Sequence, residues 1–336
     1  MAASDPAAQR LLGLDALKAL AILGVVAIHA APVEPSAYQR HVAGGVLRLA
    51  VPAFLIVTGF LAGHKQTGRP RLAAYFRRFL RLHVVYGAFY WGVEILRTGR
   101  LELPGVKAAL LHFGEAAWPG QFYFVILIQL FFLAAFVLPP GFWRSPAWLL
   151  GSAAAALAGI ALLPLARELP DAGAVWPLLR RVAGSGSGIW LWLYYFALGG
   201  FLGERARLGR LPAVLCDRRV GLGLLALGMA LAGFDWPRWG DPLVDPYARA
   251  SIWTGATLAG LAVPALAAAQ PPRLVRRLGA ASFGVFVLNP ALLFALQAVF
   301  GVAPNPWASW LMVAAVVVVA VPLTEWLRSR WPSLVP

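Results

Sequence analysis

The chain has 336 residues, of which 60% are hydrophobic and only 13% charged. A soluble domain carries roughly a quarter charged residues, so the composition excludes a water-soluble enzyme, and no polar segment exceeds about 25 residues. The formal net charge of +15 does not point to nucleic acid, because the cations alternate from loop to loop and form no single patch.

Apolar runs fall at roughly 11–31, 44–63, 80–97, 120–138, 147–166, 188–203, 219–234, 249–269, 281–300 and 307–327. They predict an all-α, polytopic transmembrane helical bundle of about ten spans, read as one membrane-embedded domain over 1–336 with short tails at 1–10 and 328–336. With the N-terminus inside, 18 of the 29 Lys and Arg fall on the inner side and 10 on the outer, with Lys18 inside the first span. The outer loops also hold eight acids. The positive-inside rule therefore puts both termini in the cytoplasm and the chain in the cell membrane as a multi-pass protein, with the lipid bilayer as its first partner.

The first run, GLDALKALAILGVVAIHA, holds Lys18 and His29 with ten residues between them. Eleven helical steps return to within roughly 20° of the start and rise roughly 16 Å, so the two share a stripe at opposite depths. Ionisable groups inside a span are costly and by default mark a site. Asp15 lies on nearly the same stripe and can pair with Lys18. The segment also has the outline of a signal peptide. Cleavage is disfavoured, because Asp15 and Lys18 lie deep for a leader and removal leaves an odd span count.

The loop from His64 to about Phe79 is the most basic inner segment. Arg77, Arg78 and Arg81 lead from it into the third run, and Arg78 and Arg81 share a helix face. Paired guanidiniums grip phosphates in bidentate fashion, although orientation alone also demands cations here. Near the outer end of the third run, Glu94 matches His29 in depth and is a candidate catalytic partner, or else an ion-pair partner of Arg97 or Arg48. Gly184–Gly188 reads as a flexible connector. The outer loop Asp235-Trp236-Pro237-Arg238-Trp239-Gly240-Asp241 combines stacking rings with carboxylates. It is a candidate sugar site through Asp235, Trp236, Trp239 and Asp241, with an interfacial aromatic belt as the competing reading. Cys216, the single cysteine, can form no intrachain disulfide.

A phosphate clamp inside, a cation one turn into the membrane and an imidazole near the outer face form a line. Its length fits a donor with a charged head and a long arm ending in a reactive group, as in coenzyme A. Acyl transfer across the membrane is the reading that results. A transporter or flippase of an anionic or glycosylated substrate, or a structural partner in a polysaccharide-assembly complex, are the rivals. No visible internal repeat favours the transporter.

These residues resemble the acyltransferase 3 family of integral-membrane acyltransferases. Its first helix carries Arg or Lys, ten residues and His, matched by Leu14-Asp15 through Lys18 to His29. Its second resembles Arg48, Val51-Pro52-Ala53-Phe54 and Thr58-Gly59-Phe60, and its third opens with the Arg-x-x-Arg of Arg78 and Arg81. Phe122-Tyr123-Phe124 and Ser282 through Asn289-Pro290 look like two further family segments. The resemblance covers about residues 10–327. It implies an O-acyltransferase, commonly of acetyl groups, that uses acetyl-CoA or another short acyl-CoA and no metal. The implied acceptor is a hydroxyl of an extracytoplasmic glycan or glycolipid. It implies His29 as the catalytic residue and Lys18, Arg78 and Arg81 as donor-binding or geometric supports. The sequence departs from the pattern at Thr58, where Ser is usual, at His83, where proline is common, and at Asn289, where many members have His. No esterase-like domain is seen in the sequence, so delivery is expected from the membrane domain or a separate partner.

Overall fold

A computed structural model of the protein describes residues 11–31, 37–99, 122–168, 189–234, 247 and 249–333. Every regular element among them is helical: α1 (Leu12–Ala30), α2 (Ala50–His64), α3 (Arg69–Thr98), α4 (Phe122–Phe132), α5 (Pro146–Glu168), α6 (Ile189–Arg207), the single turn α7 (Ala213–Cys216), α8 (Arg218–Gly233), α9 (Ala250–Leu261), the short α10 (Val263–Ala267), α11 (Arg273–Phe300) and α12 (Pro306–Arg330). Where they are described, the apolar runs of the sequence lie mainly on helix. Among the described residues, four helical stretches are long and apolar enough to cross a membrane: Leu12–Ala30, Tyr38–His64, Arg273–Phe300 and Pro306–Arg330.

Local chemistry sets the boundaries. Ala31 is extended because the residue before a proline is driven from the helical region. The basic stretch read as a loop is instead the first third of α3. Pro70 starts that helix, and the Arg, Ala and Leu that follow are good helix formers. Gly99, at φ 65°, closes it in the left-handed region. Asp217 caps α8 by accepting from the Arg219 and Val220 amides at 2.7 and 3.1 Å, and Asn305 caps α12 through the Ala308 amide at 3.0 Å. The eighth run breaks into α9 and α10 beside Pro264. The second begins irregularly, with a π-helical turn at Tyr38–Ala43 and a 3-10 turn at Val46–Leu49 before α2.

Packing relies on missing side chains. In lipid, helix association gains little from burying apolar surface, so close backbone approach takes over. A Cβ on Gly59, Gly63, Gly199 or Gly203 would overlap a carbonyl oxygen of the partner helix across the α2–α6 contact. Gly59 meets Phe196 and Gly63 meets Gly200, so these two helices run in the same direction. α1 packs extensively on α11, with Gly279 against the Asp15 backbone. α11 begins at Arg273 and α1 at Leu12, so only a parallel arrangement leaves helix on both sides beyond that contact. α3 and α4 run antiparallel, with Phe79 stacked on Phe131 at 5.5 Å and Tyr86 near Phe124 at 6.1 Å. Phe79 also meets Phe283 edge-on at 6.1 Å, which joins α3 to α11.

Gly63→Ala is expected to destabilise the protein by about 1–3 kcal/mol, the usual cost of overpacking. Gly151→Ala, where an added Cβ meets nothing within 4 Å, is expected to be neutral or stabilising. Thermal unfolding of both variants in detergent checks the contrast.

Candidate active site

Both termini of the Lys18–His29 stripe are partly open and its middle is sealed. Ile22 and Val25, which lie between them on the same face of α1, are 0% and 4% exposed. Toward the N-terminal end of α1, Lys18 Nζ lies 3.2 Å from Asp15 Oδ1, and their side chains are 27% and 4% exposed. The Asp15 backbone in turn rests on Gly279 of α11. Phe79 of α3 touches Phe283, one turn further along α11. The N-terminal parts of α1 and α3 therefore converge on adjacent turns of α11. Arg78 is half-buried there, close enough to Arg81 for the charges to interact. Arg81 is exposed and its Nη2 donates to the Ser333 carbonyl at 3.3 Å. Arg77 is exposed. Arg276, at the start of α11, has a buried Nε with no hydrogen-bond partner among the described residues.

His29 is half-buried in the last turn of α1. The Arg48 guanidinium, carried on the 3-10 turn ahead of α2, acts on it electrostatically. Arg48 lies over the Tyr247 ring at 5.5 Å from its centroid, a favourable cation–π placement. Its Nε is buried without a hydrogen-bond partner among the described residues. Tyr247 packs against Trp192 at 5.1 Å and Phe122 at 6.0 Å. Thr58 lies within hydrogen-bonding reach of the Tyr123 hydroxyl and itself donates to the Phe54 carbonyl at 2.7 Å. Glu94 is half-buried on α3, one turn beyond Tyr90, whose hydroxyl donates to the Val287 carbonyl of α11 at 2.5 Å. A cavity of about 400 Å³ lies on the far face of α1, bounded by Leu20, Gly24, Val46, Ile56, Met229 and Trp310. Its apolar lining offers nothing to a phosphate or a hydroxyl.

A family model described as an acyltransferase domain matches residues 11–326, nearly the whole chain. The chain belongs to the acyltransferase 3 family. It is accordingly a membrane acyltransferase in general character. No curated protein and no solved structure matches it.

As an acyltransferase 3 protein, the chain assembles its family segments around α1. Arg48 and Thr58 come from one of these segments and Tyr123 and Asn289 from two others, and of their helices α2 and α11 pack directly on α1. Asp235, Trp236, Trp239 and Asp241 lie outside the described residues. Among the described residues, no three His, Cys, Asp or Glu side chains converge as a metal site would require. Two contributors were missed as site residues in the sequence. Tyr247 lies 199 positions after Arg48, in the stretch between α8 and α9 whose tryptophans drew attention instead. Arg276 resembles any other arginine of the chain until its burial is known.

Lys18→Met is expected to destabilise the protein by about 1–3 kcal/mol, because it removes the cation beside a buried carboxylate. Lys18→Arg restores the cation and should recover most of that loss. Melting temperatures in the same detergent distinguish the two.

Proposed function

We propose that the protein transfers a short acyl group, acetyl in the first instance, from cytoplasmic acyl-CoA to a hydroxyl of an extracytoplasmic glycan or glycolipid. The observation that carries this reading is the stripe on α1. It puts a cation and an imidazole at the two ends of one sealed face, roughly 16 Å apart along the axis. Arg78, Arg81 and Lys18 hold the phosphates of the donor at the inner end, with Arg77 at the margin. The pantetheine arm runs along α1 between α3 and α11, for which the close packing at Ile22 and Val25 must part. Ten spans with both termini in the cytoplasm suit this arrangement, and the helix directions support it. The parallel pairs α1–α11 and α2–α6 and the antiparallel pair α3–α4 each have the sense that strict alternation of ten spans requires.

His29 takes the proton of the acceptor hydroxyl as that oxygen attacks the thioester carbonyl. The new C–O bond forms, the C–S bond breaks, and the proton passes to the departing thiolate. A covalent acyl-histidine intermediate reaches the same products in two steps. Arg48, beside His29, offers donors to the oxyanion that develops on the carbonyl. Glu94 is the candidate acid on the α3 side. Asp235, Trp236, Trp239 and Asp241 are the candidate contacts for a sugar acceptor, across the membrane from the donor's phosphates.

Purified protein in liposomes, given radiolabelled acetyl-CoA and a glycan acceptor, should consume the donor and label the acceptor. Movement of a solute without thioester cleavage would make it a transporter instead. His29→Ala should abolish transfer while leaving the melting temperature and donor binding near those of the parent. Full activity in that variant would remove His29 from the chemistry.

Arg78→Ala and Arg81→Ala should each weaken acetyl-CoA binding by about 1.5–3 kcal/mol, the worth of a charge-assisted hydrogen bond. Acetyl-pantetheine should bind the variants and the parent alike. Equal losses for both donors would assign the pair to packing or orientation. Cysteines placed at Gly68 and Gly240 in a Cys216→Ser background should label from the cytoplasmic and the outer side respectively.

A further inference from the structure

Asn289 is 1% exposed in the middle of α11. The next residue is Pro290, inside the same helix. A proline has no N–H, so the carbonyl four residues before it loses its helical partner. That carbonyl belongs to Phe286, and the Asn289 side chain replaces the missing bond, with Nδ2 donating to it at 2.6 Å. Only the amide nitrogen can donate to a carbonyl, so this bond fixes which way the side chain is turned. Oδ1 is thereby presented away from its own backbone. It is buried and has no hydrogen-bond partner among the described residues. A buried acceptor left unsatisfied is costly, and in a native structure it calls for an explanation.

Its position supplies one. Gly279, Ser282, Phe286, Asn289 and Leu293 recur at three- and four-residue spacing and are all buried, so they share a face. Gly279 on that face contacts Asp15 of α1. The two helices run parallel, so ten residues further along each, Asn289 stands level with Val25. His29 is then about one turn higher, roughly 6 Å. The pantetheine arm of acyl-CoA carries an amide N–H three bonds from the thioester sulfur, a span of about 4 Å. A thioester presented to His29 brings that N–H down to the level of Asn289. The donor offers a hydrogen-bond donor where the protein holds an unpaired acceptor.

We propose that Asn289 Oδ1 binds the cysteamine N–H of the acyl-CoA arm and so sets the depth at which the thioester meets His29. The inference rests on the acyl-CoA reading of the site. It gives Asn289 two tasks divided between its two polar atoms: Nδ2 mends the helix at Pro290, and Oδ1 reads the arm of the donor. The recognised group is the secondary amide, so selection falls on the arm and is independent of the phosphates at the other end.

The test compares acetyl-CoA with an isostere in which the cysteamine N–H is replaced by an ester oxygen, both titrated into the unaltered protein in detergent. The isostere should bind about tenfold more weakly, the loss expected when a buried acceptor is left facing an oxygen. In Asn289→Leu the two donors should bind equally, so the discrimination disappears whatever the variant does to stability. Asn289→His, which keeps a ring N–H and an acceptor nitrogen, should regain part of it. Equal affinity of the unaltered protein for both donors would overturn the role of Asn289 and leave the acyl-CoA reading standing. Failure to bind acetyl-CoA at all would overturn both.

Discussion

Inside a hydrocarbon layer no water satisfies an amide, a carbonyl or a charge, and each must find its partner within the protein. Most features of this chain follow from that constraint. Backbone groups are satisfied by helices that run through every apolar segment. Asp15 rests its backbone on α11, and its buried carboxylate is paired with Lys18 one turn away. The carbonyl that Pro290 leaves without a donor is recovered by the neighbouring asparagine. Where a buried polar atom has no partner among the described residues, as at Asn289 Oδ1 and Arg48 Nε, the constraint turns into a pointer toward a ligand.

The bundle holds these groups still by bringing backbones together. Glycines at Gly59, Gly63, Gly199 and Gly203 seat α2 directly against α6, and Gly13 and Gly279 seat α1 against the end of α10 and against α11. With no side chain between them, such helices have little freedom to slide. That rigidity matters for a site assembled from several helices, because small displacements of the reacting groups cost much of the rate. Phe79, Phe124, Phe131 and Phe283 extend the same frame to α3 and α4. The arginines that open α3 are therefore anchored relative to Lys18 by a wall of aromatic contacts.

Polar chemistry is sorted by depth. Toward the N-terminal ends of α1, α3 and α11 lie the cations Lys18, Arg78, Arg81 and Arg276. Toward the C-terminal end of α1 stand an imidazole and a guanidinium over a tyrosine ring. The apolar middle of the α1 stripe separates the two. The proposed donor, with its anionic head and extended, uncharged arm, is drawn from this gradient.

The sequence by itself determined the class of the protein. Composition demanded a membrane bundle, the apolar runs located its helices, and the Lys18–His29 spacing placed two chemical groups on one face, because helical periodicity is a local property. The family was legible for the same reason, since its motifs are short runs on single helices. The basic stretch before Phe79 was misread as a loop because charge suggested solvent, whereas Pro70 and good helix formers carried α3 through it. Only the tertiary structure decided which helices meet. The contact of Arg48 with Tyr247 joins segments 199 positions apart, and the parallel packing of α1 on α11 sets Asn289 just below His29. Such neighbours depend on where glycines permit close approach between distant helices. A one-dimensional pattern does not encode that choice, because the same small residue fits many partners until the whole bundle selects one.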